Sequence, residues 1–326
     1  MKITHIIASA NPGGMENHVA SLSNALSRAH EVSVIAPPWH AAAFVPAVNV
    51  IPFVGLLCGR HNPITLFRLY RLLRSLSPDI LHAHGSKAAT MVILPFFRAY
   101  TRIATIHGIK TSTRVFRRFD RLIAVSRAVA ERIRPYPSTI IHNGISAPED
   151  PPPPRANTPP LALAIGRLAP VKGFDDLITA WAHVNDARLQ IAGDGPERHR
   201  LQALIRRHNL QRRVRLLGHR PDIRSLLAAS DLLVISSRRE GASLVFAEAL
   251  ALHRPVVSTD CGLMSERIPA GLLVPPRSPD LLAQKINAAL TDLPAYAAHF
   301  APLYEYCRRE MTVEAMADKT VAVYQG

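Results

Sequence analysis

The sequence is short of the residues that would mark a disulfide-rich, metal-clustered or membrane-spanning chain. It has 3 cysteines in 326 residues, Cys58, Cys261 and Cys307, far apart and in no CxxC or Cys/His metal spacing. An odd, scattered set points to a reducing compartment and argues against a disulfide framework or a zinc site. Aromatic residues make up 6% of the chain and are not interleaved with basic residues as in single-strand nucleic-acid binders. The most apolar internal stretch, 88–97, contains Pro95 and is far shorter than the ~20 residues of a transmembrane helix. The opening MKITHIIASANPGG has a short apolar run and no small-residue cleavage pattern, so it does not read as a signal peptide. These absences lead to the expectation of a soluble, cytoplasmic protein.

What the chain does have is apolar residues, 48% of the total, enough for an ordinary core. At 326 residues it exceeds one comfortable domain of ~100–200, so two domains are expected. Between them, residues 146–160 hold seven prolines in fifteen positions, a stretch that can neither be helical nor pair inside a sheet. It reads as an extended linker. The expected domains are 1–150 and 161–300, the linker 151–160, and a C-terminal helix over 301–326 that packs back on the first domain.

On both sides of the linker, short apolar runs alternate with amphipathic stretches. Residues 3–9, 31–36, 80–84, 103–107, 122–125 and 139–142 read as strands, with helices over 16–28, 64–75 and 128–134. In the second half the strands are 161–165, 189–192, 214–217, 232–236 and 255–258. The helices there are 175–183, 197–208, 223–229, 245–252 and 279–290. Continuously apolar strands fit a parallel sheet covered on both faces. The βα alternation predicts two doubly wound α/β domains that bind ligands beyond the carboxyl ends of their strands, at the switch point.

Charge is uneven. Residues 1–150 carry 17 Lys/Arg against 7 Asp/Glu, and residues 151–326 carry 22 against 17. A basic half attracts anionic partners, although an arginine-rich compositional bias gives the same count. Arg68, Arg71 and Arg74 recur at i, i+3, i+6 beside an apolar face, and Arg114, Arg117, Arg118 and Arg121 form a second run. A helix of this kind either packs with a solvated basic side or lies on an anionic membrane surface.

Three constellations carry chemistry. Asn11-Pro12-Gly13-Gly14-Met15-Glu16 follows the first strand, where two glycines admit a ligand to the backbone and a helix N-terminus offers N–H groups. Gly166-Arg167 and Lys172-Gly173 place a planar cation and a point charge five residues apart on a loop, a combination suited to a diphosphate. Glu240 and Glu248 are separated by seven residues, one in a glycine loop and one inside an apolar helix. Acidic groups are seldom buried unpaired, so Glu248 needs a hydroxyl or cation partner, either a structural salt bridge or a ribose diol.

The Glu240/Glu248 pair resembles the E-x7-E signature of retaining glycosyltransferases of family 4, which have two Rossmann-like domains facing across a cleft (GT-B). Further similar motifs follow in family order across nearly the whole chain. They are Gly13-Gly14-Met15-Glu16, Ile106-His107-Gly108, Ile123-Ala124-Val125-Ser126, His142-Asn143-Gly144, Ala192-Gly193-Asp194-Gly195-Pro196, Ser230-Asp231 and Leu272-Leu273-Val274-Pro275. The resemblance implies transfer of a hexose-type sugar from a nucleotide-sugar donor, UDP- or GDP-linked, to a glycan or lipid-linked glycan in lipopolysaccharide or surface polysaccharide assembly. It implies that Arg167 and Lys172 hold the diphosphate and stabilise the leaving nucleotide, that Glu248 binds the ribose, and that Glu240 and His107 touch the sugar. Leu244 and Val245 at the following helix start would also contact the donor, and Gly13 and Gly14 would close over it. No separate cofactor or metal is implied, and no DxD stands in a matching loop.

There are departures. Ala242-Ser243 follows the first Glu-Gly, Leu263 stands where a second glycine is usual, and Ser146 where an Asp is usual. His82-Ala83-His84 has a metal-like spacing on a strand, but the sequence identifies no third ligand, so a packing role is expected. Two other classes remain open. A nicotinamide oxidoreductase would use the same layers, yet neither first βα turn carries GxGxxG with an acid ~20 positions on. A nucleic-acid binder would exploit the basic charge and show salt-dependent affinity.

Overall fold

The structure, a computed structural model, describes residues 1–9, 13–108, 113–148, 151–153 and 157–326. Asn11 and Pro12 of the first glycine turn, and part of the proline-rich segment, therefore lie outside the described residues. The chain divides into two units: Met1–Ile145 with Glu310–Gly326, and Ser146–Arg309.

In the first unit the described strands are β1 (Lys2–Ile7), β2 (Glu31–Ala36), β3 (Asn49–Pro52), β4 (Ile80–His84), β5 (Thr101–Ile106), β6 (Arg121–Ala124) and β7 (Thr139–Ile140). They form one sheet in the order β3-β2-β1-β4-β5-β6-β7 with every pairing parallel. β4 is buried along its whole length, which is why its sequence, and those of β1 and β5, do not alternate in polarity. The helices are α1 (Gly14–Leu26), α2 (Pro63–Leu76), α3 (Gly85–Val92) and α4 (Arg127–Arg132). Asn62 caps α2 by accepting from Thr65 N at 2.9 Å, Pro63 opens it, and Ser77 ends it in the left-handed region. Leu66, Leu69 and Leu73 face inward from α2, while Arg68, Arg71 and Arg74 face solvent.

The second unit repeats the plan. β8 (Leu161–Ile165), β9 (Arg188–Ala192), β10 (Val214–Gly218), β11 (Leu232–Ile235), β12 (Val256–Thr259) and β13 (Leu273–Val274) form a sheet in the order β10-β9-β8-β11-β12-β13. Its pairings are also parallel. Around it run α5 (Phe174–Trp181), α6 (Arg198–Arg207), α7 (Ile223–Ala229), α8 (Leu244–Ala251), α9 (Leu263–Arg267), α10 (Pro279–Thr291), α11 (Leu293–Ala298) and α12 (Ala301–Glu310). Each sheet reverses strand order once, between β1 and β4 in one unit and between β8 and β11 in the other. Two Rossmann-like α/β domains are thus present.

The C-terminal stretch is two helices. α12 stays with the second unit, where Cys307 Sγ donates to Ala247 O at 3.5 Å. Thr312 then caps a new helix, α13 (Val313–Gln325), by accepting from Ala315 N at 3.0 Å. Val313, Met316, Ala317 and Tyr324 of α13 enter the core of the first unit beside Val19, Leu22 and Ile3. The His142-Asn143-Gly144 motif serves this docking. A Cβ at Gly144 would overlap the Thr312 carbonyl, and Gly144 N donates to Met316 Sδ at 3.1 Å. Arg121, one of the second arginine run, closes the far end of α13 by donating to Val323 O and Tyr324 O at 2.6 and 2.8 Å.

The proline-rich segment is bound to the second unit where it is described. The fully buried Arg254 guanidinium donates to Pro152 O, Pro153 O and Ala228 O at 3.0–3.3 Å. Asn157 pairs with Asp231, whose carboxylate also accepts from Leu161 N at 2.7 Å. Ser230-Asp231 is therefore a structural latch. The sequence reading missed β3, β13, α3, α9 and α11. Each is short, and α3 begins at Gly85 with φ 77°, which hides a helix start behind a turn residue. β5 and β7 end before His107 and His142, and α4 stops two residues earlier than expected, just ahead of Pro135.

Candidate functional site

The loops leaving β8 and β11 flank the switch point of the second sheet, and the candidate donor-binding residues stand on them. β8 ends at Ile165, and Arg167 follows, exposed to solvent. The backbone there is held against the 193–195 turn: Gly166 N donates to Ala192 O at 3.0 Å and Leu168 N to Asp194 O at 2.9 Å. A Cβ at Gly193 would overlap Gly166 O, so the Ala192-Gly193-Asp194-Gly195 motif is what allows this approach.

Lys172 comes at the end of a short 3-10 turn, Pro170–Lys172, and Gly173 then opens α5 in the left-handed region, φ 63°. Glycine is required at 173 by that φ and by the Ser236 carbonyl, which occupies the place of a Cβ. Lys172 Nζ is ion-paired with Glu240 Oε1, and both side chains are mostly buried. Ser237 Oγ donates to the same Oε1 at 3.0 Å, while Ser236 Oγ donates to Lys172 O at 2.9 Å. Among the described residues Glu240 Oε2 has no partner, so one oxygen of this carboxylate is committed to the protein and the other is left for a ligand.

Arg238, which the sequence reading passed over, binds the two loops together. Its Nε donates to Asp176 at 3.0 Å, its Nη2 to Asp175 at 2.9 Å and its Nη1 to Pro170 O at 2.9 Å, and its backbone N–H reaches Val171 O at 2.8 Å. Burial works to raise the Asp175 carboxyl, but the bonds from Arg238 and Arg200 outweigh it and hold Asp175 below its usual value. Asp176 goes the other way: burial and the neighbouring Asp175 charge raise it despite Arg238. The available signal was the acidic pair in the first turn of α5, two adjacent carboxylates that need a cation nearby.

α8 carries the remaining candidates. Ser243 caps it by accepting from Phe246 N at 3.4 Å, leaving the Leu244 and Val245 N–H groups without an intrahelical acceptor. Glu248 lies half-buried one turn further on and makes no hydrogen bond or ion pair among the described residues. Burial raises its carboxyl above the usual range, and Arg224 pulls weakly the other way. The structural salt bridge considered for it is therefore not formed. Leu263, at the position of a usual second glycine, is fully buried at the start of α9, and its N–H bonds Gly241 O at 3.1 Å. Its side chain fills core and does not wall the site.

Gly13, Gly14 and His107 belong to the first unit. Gly13 caps α1 with φ −175°, extended backbone open to any residue, so its glycine identity is not a conformational need. His107 follows β5 directly and meets His84 Nδ1 through its Nε2 at 3.2 Å. The third partner that the sequence could not find for His82 and His84 is supplied from far along the chain, by His5 on β1 and by His18 on α1 with His107.

Residues 12–147 match the family model described as Glycosyltransferase Family 4, and residues 159–292 the model described as Glycosyl transferases group 1. Anabaena HepE, solved in complex with UDP and glucose, superposes with a TM-score of 0.83 over 99% of both chains at 21% identity. The chain is a GT-B glycosyltransferase. It is 29% identical over 273 residues, 79% of each chain, to the lipopolysaccharide core biosynthesis glycosyltransferase LpsE of Rhizobium meliloti (strain 1021). It is also 25% identical over 360 residues to the phosphatidylinositol N-acetylglucosaminyltransferase GPI3 subunit of Saccharomyces cerevisiae (strain ATCC 204508 / S288c), covering 96% of this chain and 79% of that one. Among the described residues no helix of this glycosyltransferase is long and apolar enough to cross a membrane.

Two outcomes follow from this geometry. The folded-state pKa of Glu248 lies above its unfolded value, so the stability it contributes is complete below the unfolded pKa and is lost as pH rises through the folded one. Glu248→Gln stays neutral and should melt above the parent near pH 7.5, by roughly 2–4 °C per kcal/mol relieved, the two curves converging below about pH 4. A melting difference that is the same at both pH values contradicts this. Arg238→Ala leaves Asp175 and Asp176 facing each other and should cost about 1–3 kcal/mol in denaturant unfolding. A variant as stable as the parent would show that the brace is not needed.

Proposed function

We propose that this glycosyltransferase moves a hexose-type sugar from a UDP- or GDP-linked donor to a glycan or lipid-linked glycan, retaining the anomeric configuration. The observation that carries the proposal is the Lys172–Glu240 pair at the switch point of the second sheet, with the unpartnered Glu248 on the helix beyond it. The names of the relatives support the reading: LpsE acts in lipopolysaccharide core biosynthesis, and HepE was captured with UDP and glucose.

In this reading the diphosphate lies against Arg167, Lys172 and the free N–H groups of Leu244 and Val245 at the start of α8. Glu248 accepts from the ribose hydroxyls, which replaces the water its half-buried carboxylate gives up. Glu240 uses Oε1 to orient Lys172 and Oε2 to accept from a sugar hydroxyl. When the C1–O bond to the diphosphate breaks, negative charge grows on the leaving phosphate. The two cations and two N–H dipoles stabilise that charge more than they stabilise the ground state. Arg167 and Lys172 thereby take the part a divalent ion plays elsewhere, and no separate cofactor enters the proposal. His107 would contact the transferred sugar, and Gly13 and Gly14 would close over the donor.

A membrane-borne acceptor fits the outer face of α2. Ile64 and Phe67 are 64% and 60% exposed, and Arg71 and Arg74 extend the same face. Apolar side chains beside arginines suit the boundary of an anionic bilayer. Sedimentation with anionic phospholipid vesicles should carry down the parent and leave a Phe67→Ser, Arg71→Glu double variant in solution. Equal sedimentation of the two rejects the surface.

The donor assignment has a direct test. Lys172→Ala should lower turnover about 10²–10³-fold, because one charge-stabilising donor is worth that much, a larger effect than the fall in folding stability from leaving Glu240 without its partner. A thermal-shift panel of nucleotide sugars on the parent should give one selective stabiliser, and Glu248→Gln should weaken it. Undiminished transfer by the Lys172 variant, or a panel with no stabiliser, would remove the proposal.

A further inference from the structure

Five imidazoles gather at the switch point of the first sheet, and their partners separate them. His82 has both ring nitrogens engaged, Nδ1 with Tyr324 OH and Nε2 with Thr105 Oγ1, each at 2.7 Å. A neutral imidazole has one donor and one acceptor, so His82 has nothing left for an ion. His84 is held differently. Its Nε2 meets His5 Nδ1 at 2.9 Å, and its Nδ1 points to His107 Nε2 at 3.2 Å. His18, 3% exposed on α1, lies edge-on to His107 with ring centroids 4.6 Å apart, and 5.7 Å from His84. Neither of its nitrogens closes a hydrogen bond of good geometry, although the Asn143 side chain sits beside the ring and favours its charged form. One nitrogen from each of His18, His84 and His107 lies within 4.8 Å of the other two.

We propose that His18, His84 and His107 form a binding site for a first-row transition-metal cation of the zinc, cobalt or nickel class, with the fourth position open to solvent. Three imidazoles match that class and not magnesium or calcium, which prefer oxygen. Tetrahedral coordination with metal–nitrogen bonds of 2.0–2.1 Å sets ligand nitrogens about 3.4 Å apart. The His84–His107 separation is already close to that value. His5 acts as the outer partner, holding His84 Nε2 so that His84 Nδ1 presents its lone pair inward, the arrangement that metal-binding histidines require. His107 is only half-buried and gives the ion a way in. His107 is also the sugar contact of the proposed function, so the test of this site does not use transfer activity.

The untagged full chain, stripped with a chelator and dialysed, is titrated with Co²⁺ while the visible absorption of four-coordinate cobalt is recorded. One equivalent should bind, Zn²⁺ should displace the bands, and excess Mg²⁺ should leave them. His18→Ala should weaken Co²⁺ at least tenfold with an unchanged far-ultraviolet spectrum. Should that variant misfold, the half-buried His107→Ala replaces it with the same expected loss, and His199→Ala serves as a surface control that binds as the parent does. Absence of the bands in the parent, or their persistence at full affinity in the variant that folds, overturns the site.

Discussion

The geometry around the Lys172–Glu240 pair depends on one guanidinium. The loops after β8 and β11 leave neighbouring strands of a parallel sheet, and nothing in a parallel ladder fixes two loops beyond its end. Arg238 does so by gripping both carboxylates in the first turn of α5 and the carbonyl of Pro170, while its own backbone bonds Val171. Lys172 lies between those anchors, so its ammonium is delivered to Glu240 by the brace and not by its flexible stem. The cost of bringing a lysine and a glutamate together out of bulk water is offset because the order is imposed from outside the pair. Asp175 and Asp176 show how far one cation can serve two acids: the first is held down by it, and the second stays raised by burial and by its neighbour.

Local chemistry explains which parts of this arrangement were legible in the sequence. β1, β4, β8 and β11 announce themselves as apolar runs because helices cover both faces of each sheet, and the two α/β domains follow from that. Arg167 and Lys172 were visible as two cations spaced on one loop, and Glu240 and Glu248 as a carboxylate pair of which the second sits in an apolar helix. The structure brings Lys172 and Glu240 into contact, sets Arg167 on the same loop as Lys172, and leaves Glu248 without a protein partner. Arg238 was hidden because its acidic partners lie 62 and 63 residues away. His5 and His18 were hidden for the same reason: a strand register, Ile7 opposite His84 and His5 opposite His82, brings His5 beside the pair, and His18 comes from helix α1. The break between α12 and α13 depends on the Thr312 cap, a signal that a long amphipathic stretch readily masks.

The two sheets share one strand order and use opposite electrostatics at the same topological place. In the first unit the switch point is filled with imidazoles that burial keeps neutral, so the excess positive charge of that half lies on surface arginines such as Arg68, Arg71 and Arg74. In the second unit the switch point carries an ion pair. A neutral, hydrogen-bonded stack tolerates full burial, as His82 between Tyr324 and Thr105 illustrates. The ion pair must stay partly open, and both Lys172 and Glu240 do.

The positions where the chain departs from the pattern of family 4 gain a physical meaning from their burial. Leu263 replaces a small residue, yet it turns into the core, and only its backbone touches the Glu240 loop through Gly241. Its effect on a ligand is thus limited to where it sets that backbone. Ser243 spends its hydroxyl on the Phe246 N–H of its own helix. That bond occupies one acceptor site of the hydroxyl, and the Leu244 and Val245 N–H groups at the start of the helix have no intrahelical acceptor. Glu240 differs: its Oε2 has no bonding partner among the described residues, while its Oε1 is engaged by Lys172 and Ser237.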